Sequence, residues 1–218
     1  MQHLRHLQAA WADSKITHRT AQLLALAERI ETNKPELAEA VCMEVGRCLR
    51  ECEAEIDKTV DLIRYYAKLA PELLDSKTIT TQASLSQVRF EPLGVVLAVM
   101  PWNYPVWQIM RFAVPALCAG NACLVKPAPS VAQVTAKLMA LVDETMPLHA
   151  SYIEHDLIET AIEHTDAMAF TGSTDTGRYL ASLAGKHIKK CVLELGGSNA
   201  FIVLDDADVE QAAHDVVY

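Results

Sequence analysis

The stretch VVLAVM at residues 95–100, running straight into Pro101-Trp102-Asn103-Tyr104-Pro105, decides the fold. An unbroken apolar run of this length suits a strand covered on both faces, as inside a parallel sheet. Helix and strand patterns alternate after it. Residues 106–119 read as a helix closed by Gly120-Asn121, 122–126 as a strand, 130–144 as a helix capped by Ser130, and 156–164 as another helix. A strand over 167–171, a helix over 176–184 and strands over 191–195 and 200–204 follow. Such alternation predicts an α/β fold built on an open sheet.

Upstream of that stretch the period is helical. Leu23, Leu26, Ala27 and Ile30 recur at helix spacing, Asn33 can close their helix, and Pro35 suits the first turn of the next, over 35–45. A third helix carries Ile56, Val60, Ile63 and Ala67 on one face and runs to Pro71. Residues 77–84 (KTITTQAS) and 86–91 (SQVRFE) then read as two strands of a hairpin or arm. At the far end, Asp206 or Asp208 caps a helix that starts at Val209 and reaches Tyr218 without a closing signal, as if cut inside the element.

Composition narrows the function classes. The chain has 218 residues, 51% of them hydrophobic and 22% charged, which is the balance of a soluble globular protein. A net charge of −9 opposes nucleic acid and anionic membranes as partners. No apolar run approaches the roughly 18 residues of a membrane helix, and residues 1–15 hold no apolar signal core, so a cytoplasmic location is expected. The six cysteines form no CxxC pair and read as reduced, mostly structural thiols. Cys48 and Cys52 share a helical spacing and His3 and His6 lie close in sequence, but neither pair has a second pair to complete a zinc site, so no metal is expected.

Four stretches offer chemistry. Asn103 stands between two prolines just beyond a buried strand, at the edge where open α/β sheets place ligands. Its amide suits donation to an oxyanion, and equally an Asx hydrogen bond within a turn. Trp107 and Arg111 follow Asn103 at intervals of four, and Arg111 can grip a carboxylate or simply face solvent. Lys126 ends the next strand on the same edge, suited to ribose hydroxyls or a phosphate, or simply a strand-end lysine that holds no ligand. The turn Phe170-Thr171-Gly172-Ser173-Thr174-Asp175-Thr176-Gly177 joins strand to helix, where free amides can hold a pyrophosphate. In Cys191-Val192-Leu193-Glu194-Leu195-Gly196-Gly197-Ser198, a Glu at a strand end before two glycines suits a general base whose pKa an apolar strand would raise, or merely a bend.

Taken together, PWNYP, the Lys126-Pro127 strand end, FTGSTDTG and ELGGSNAFIVLDDAD occur in the order seen in the NAD(P)-dependent aldehyde dehydrogenase superfamily, which the chain resembles over residues 22–218. Trp107-Gln108-Ile109-Met110-Arg111 and Lys189-Lys190-Cys191 look most like its bacterial succinate-semialdehyde dehydrogenase branch. The resemblance implies a Rossmann-like open parallel sheet with amino-terminal helices. Residues 1–76 and 92–196 would form the dinucleotide-binding domain, 77–91 an oligomerisation arm, and 197–218 the start of a truncated catalytic domain. It also implies a small-molecule aldehyde substrate, NAD or NADP as cofactor, and a homo-oligomer in the complete enzyme. Asn103 would donate to the oxyanion, Glu194 would serve as base for the hydrolytic water, and Arg111 with Trp107 would bind substrate. Val99, Pro101, Trp102, Lys126, Gly172, Ser173 and Leu195 would line the dinucleotide.

Three departures from the family pattern matter. The family's nucleophilic Cys follows ELGG, yet no Cys follows Cys191 here, so the chain is expected to be inactive alone. Between Lys126 and Gly172 the family's Gly-bearing strand and turn give way to a shorter Met146-Pro147-Leu148-His149-Ala150-Ser151-Tyr152-Ile153, in keeping with only 8 glycines overall. Pro129 stands where many NAD-preferring members carry a Glu, which leaves NAD versus NADP open. Cys191 should face away from Glu194 by strand alternation, and Cys118 and Cys123 should sit at the opposite sheet edge from Asn103, so none is expected to replace the nucleophile.

Overall fold

Four helices come first. In the computed structural model, which describes residues 1–217, α1 spans Gln2–Asp13, α2 Ile16–Thr32, α3 Lys34–Val45 and α4 Leu49–Leu73. The helical stripes read from the sequence are buried as expected: Leu23, Leu26, Ala27 and Ile30 on α2, and Ile56, Val60, Ile63 and Ala67 on α4. Asn33 closes α2, Pro35 lies in the first turn of α3, and α4 ends just past Pro71. Helix α1 has too thin a stripe to read, since only Leu4 and Trp11 are buried. Polar anchors hold it instead. Arg5 bonds Asp166 at 2.9 Å and the His164 carbonyl at 2.8 Å, and the Trp11 indole donates to the Leu117 carbonyl at 2.8 Å. Cys48 does not share a helix face with Cys52: it is the extended, exposed residue before α4, whereas Cys52 is buried within it.

A short hairpin follows, β1 at Lys77–Thr78 pairing antiparallel with β2 at Gln87–Val88. The two longer strands expected over 77–84 and 86–91 shrink to this pair and one further bond, Ile79 N–H to the Ser86 carbonyl at 2.9 Å. Among the described residues nothing buries either face of the hairpin, so no burial extends the ladder.

The sheet is built from β3 (Val95–Val99), β4 (Ala122–Lys126), β5 (Leu148–Ala150), β6 (Ala167–Thr171) and β7 (Lys190–Glu194). Its order is β5-β4-β3-β6-β7, with every pairing parallel. Helices α5 (Pro105–Cys118), α6 (Ala132–Ala140), α7 (Ile158–Glu163) and α8 (Thr174–Lys186) make the crossovers, and α9 (Val209–Val217) follows the last strand. The chain winds outward from β3 to β5, then returns to lay β6 on the other side of β3. Strand order therefore reverses between β3 and β6, and that reversal opens a crevice at their carboxyl ends.

Alternation along the strands sorts the core into two layers. Ala98, Cys123, Val125, Leu148 and Ala169 face the α2–α6 layer, while Leu97, Met168 and Phe170 face α7 and α8. At the amino edge Gly94 has φ +121°, and a Cβ there would lie 2.3 Å from Asp166 Oδ2. That oxygen already accepts from the Val95 N–H at 2.8 Å. Gly94 thus lets the backbone approach the carboxylate that ties β3, β6 and α1 together.

Several expectations need correction. The helix foreseen over 130–144 opens as a 3-10 turn at Pro129–Val131 and stops at Ala140. Its cap is not Ser130 but the Glu44 carboxylate, which accepts from the Gln133 and Val134 N–H groups at 2.9 and 2.8 Å. The unusual 146–153 stretch does hold a strand, β5, which sequence reading missed. The stretch over 156–164 begins as a 3-10 turn, His155–Leu157. Residues 200–204 form no strand: they are exposed and, among the described residues, have no neighbouring backbone to pair with. Asp208, not Asp206, caps α9, accepting from Glu210 and Gln211 N–H at 3.0 Å each. Tyr218, where that helix was expected to stop, lies outside the described residues.

Candidate active site

Register brings most of the singled-out residues to one edge. Val99 pairs with Lys126 on one side and Phe170 on the other, and Thr171 pairs with Glu194. Pro101, Trp102, Asn103, Gly172, Ser173 and Leu195 all lie just beyond these strand ends. Asn103 precedes α5 rather than riding on it, because the helix begins at Pro105 with Tyr104 as its cap. The Asn103 side chain is exposed and, among the described residues, bonds to nothing, so the Asx turn is not formed.

Lys126 has a different setting. It keeps 9% of its surface, faces a cavity of about 300 Å³ shared with Pro129, Tyr152, Glu154 and His155, and its ammonium has no hydrogen-bond or ion-pair partner among the described residues. A largely buried lysine whose unpartnered ammonium opens on a cavity suits an anionic or hydroxyl-rich ligand. Ser173 caps α8, its hydroxyl accepting from the Thr176 N–H at 3.4 Å, and Leu195 closes over Gly177, where a Cβ would meet Leu195 Cδ2 at 2.4 Å. The remaining amides of the first turn of α8 face the crevice edge, the arrangement that receives phosphate groups.

A second cleft, about 420 Å³, runs between α5 and the open face of β6 and β7. Ala167, Ala169 and Val192 form an apolar floor, Tyr66, Met100 and Phe112 supply walls, and Gln108, Arg111, Lys190 and Glu194 add polarity. Arg111 and Glu194 meet across it at 3.3 Å, with 41% and 53% of their side chains exposed. The structure thus joins two residues the sequence reading assigned separately. It does not bury Glu194 against an apolar strand, because β7 is the sheet edge and Glu194 lies on its open face. Trp107 does not enter the cleft: its ring lies under the Lys58 ammonium, 4.0 Å from the ring centroid.

The thiols lie away from this edge. Cys191 packs toward α8, on the opposite face of β7 from Glu194. Cys118 and Cys123 sit at the amino edge, where burial pushes the Cys118 thiol up to about 11 and Cys123 higher still. Both stay protonated at neutral pH. A thiol reagent at neutral pH should therefore modify exposed Cys48 first and spare Cys118 and Cys123 until the chain is unfolded, as peptide mass mapping would show.

Residues the sequence reading missed hold the corner in place. Glu55, buried on α4, accepts from the Val106 and Trp107 N–H groups at 2.9 and 3.0 Å and pairs with Arg47, whose guanidinium lies 4.0 Å from the Tyr104 ring centroid. The available signal was a carboxylate placed inside the apolar stripe of Cys52, Ile56 and Val60.

A sequence profile of the aldehyde dehydrogenase family matches residues 1–218. The chain is 40% identical over 218 residues to a probable succinate-semialdehyde dehydrogenase (NADP+) of Synechocystis sp., covering 97% of this chain and 46% of that protein. It is 37% identical to a succinate-semialdehyde dehydrogenase (NADP+) of Deinococcus radiodurans, covering 92% of this chain and 43% of the relative. A solved succinic semialdehyde dehydrogenase from Streptococcus pyogenes, in complex with NADP+, superposes with TM-score 0.88 at 33% identity, covering 96% of this chain and 48% of the other. The chain spans less than half the length of these relatives.

Proposed function

Because the chain belongs to the aldehyde dehydrogenase family, we propose that it forms the cofactor-binding part of an NAD(P)-dependent dehydrogenase acting on a carboxylate-bearing aldehyde such as succinic semialdehyde. The observation that carries this reading is the convergence of Asn103, unpartnered Lys126, the Gly172-Ser173 turn and the Arg111–Glu194 cleft on one sheet edge. Lys126, with Val99, Pro101, Trp102, Gly172, Ser173 and Leu195, holds the dinucleotide, which when bound supplies a hydride acceptor. The Asn103 amide donates to the oxyanion formed at the aldehyde carbon. Arg111 takes the distal carboxylate of the substrate, and Trp107 steadies the same helix under Lys58. Glu194 accepts a proton from the water that releases the acid. Pro129 brings no carboxylate to the Lys126 cavity; the acidic residue that lines it is Glu154, and both NAD and NADP fall within this reading.

In this reading none of the six cysteines serves as nucleophile, and the chain does not oxidise aldehydes by itself. Purified protein should bind NADP+, followed by quenching of tryptophan fluorescence, and give no succinic-semialdehyde-dependent NADPH. Sustained NADPH formation would overturn the second half, and absence of any dinucleotide binding the first. Lys126→Met should weaken NADP+ binding by about ten- to a hundredfold, the loss of a charge-assisted hydrogen bond.

Residues 77–91 act as an oligomerisation arm in the same proposal, supported by the exposure of Ile79, Leu85, Val88 and Phe90 on the hairpin. That exposure also favours a second reading, a non-catalytic subunit that binds nucleotide and assembles with an intact dehydrogenase. Native mass spectrometry of complexes from the source cell separates the two. The cytoplasm is the proposed location, in keeping with six cysteines that are all free thiols among the described residues. No helix among the described residues is long and apolar enough to cross a membrane.

A further inference from the structure

We propose that Glu55 is a positioning residue for Asn103, acting through the first turn of α5; the proposal rests on the reading of Asn103 as the oxyanion donor. The Asn103 side chain is exposed and, among the described residues, bonded to nothing, so its place depends on anchors to either side. On the amino side, the Met100 N–H donates to the Lys126 carbonyl at 3.0 Å. On the carboxyl side, Pro105 has no N–H, and the next two donors, Val106 and Trp107, both go to Glu55 Oε1 at 2.9 and 3.0 Å. The other Glu55 oxygen takes the Arg47 guanidinium, which lies over the ring of Tyr104, the residue after Asn103.

The arrangement exceeds what packing needs. The Glu55 side chain is fully buried, and an apolar residue would fill that site without the desolvation of a carboxylate. A carboxylate there does what an apolar residue cannot: it faces the positive end of α5 and fixes the direction of its first turn. Neither Glu55 nor Arg47 lines the Lys126 cavity or the Arg111–Glu194 cleft, so neither touches a ligand held there.

The test needs no turnover and is read by NMR on the intact chain, with the Asn103 side-chain amide pair assigned by its disappearance in Asn103→Asp. Glu55→Gln keeps the volume and one acceptor oxygen while removing the charge. The expected result is a displaced or split Asn103 pair and about ten- to a hundredfold faster hydrogen exchange at Val106 and Trp107, with NADP+ affinity unchanged. An Asn103 pair that stays in place while Val106 and Trp107 exchange faster would overturn the proposal and leave Glu55 a plain helix cap. If Glu55→Gln does not fold, Arg47→Lys carries the same readout: it keeps the charge beside Glu55 and loses the plane over Tyr104, and an unmoved Asn103 pair again overturns the proposal. Failure of the dehydrogenase reading appears separately, as absent dinucleotide binding in the unmodified chain.

Discussion

Replacing Glu55 with alanine lowers the unfolding free energy by about 3–5 kcal/mol, the usual cost of breaking a buried ion pair from one side. Two effects combine. The Val106 and Trp107 N–H groups lose their acceptor, and Arg47 is left as a largely buried cation whose Nε and one terminal nitrogen already have no hydrogen-bond partner among the described residues. Urea denaturation followed by circular dichroism measures the change as a fall in midpoint at constant slope. The double variant Arg47→Met, Glu55→Leu should recover most of the loss, because it removes the stranded charge and fills the space with apolar volume. A stability drop below about 1 kcal/mol in Glu55→Ala, the range of exposed pairs, would show that the site is open to water and the clamp weak.

Gly94→Ala is the second large effect, with an expected loss of about 3 kcal/mol. Backbone at φ +121° costs any L side chain roughly 1–3 kcal/mol. The new methyl also has to displace Asp166 Oδ2, which would break the bonds to the Val95 N–H and Arg5. Thermal unfolding should show the midpoint falling by roughly 6–12 °C for a chain of this size. A fall of only a degree or two would mean that Asp166 moves aside without cost.

What could be read from the residues, and what could not, follows from where the forces act. The β3 strand, the α2 and α4 stripes and the strand end carrying Lys126 were legible because local pattern and final burial agree there, whereas β7 could be read only from its apolar residues, since it lies exposed at the sheet edge. Strand β5 was not: Leu148, His149 and Ala150 have little strand character, and they become a strand because β4 offers an unpaired edge. Residues 200–204 failed the opposite way, apolar and β-branched enough to read as a strand but without a partner among the described residues. In the site, residue types at the sheet edge were readable, but pairings across it were not. Arg111 and Glu194 meet across the cleft between α5 and β7, and Glu55 reaches α5 from a helix far upstream. No sequence window holds both ends of either contact.

The Arg5–Asp166 bond sets an order for assembly. The two residues lie 161 positions apart, and Asp166 is also what Val95 needs at the start of β3. At about 5–20 residues per second of synthesis, roughly 8–32 s pass between the emergence of Arg5 and of its partner. During that interval α2, α3 and α4 can collapse on one another through contacts close in sequence, the fast kind. The first helix made is among the last to dock, and β3 waits with it, so on the ribosome the half-built sheet stays open until β6 arrives.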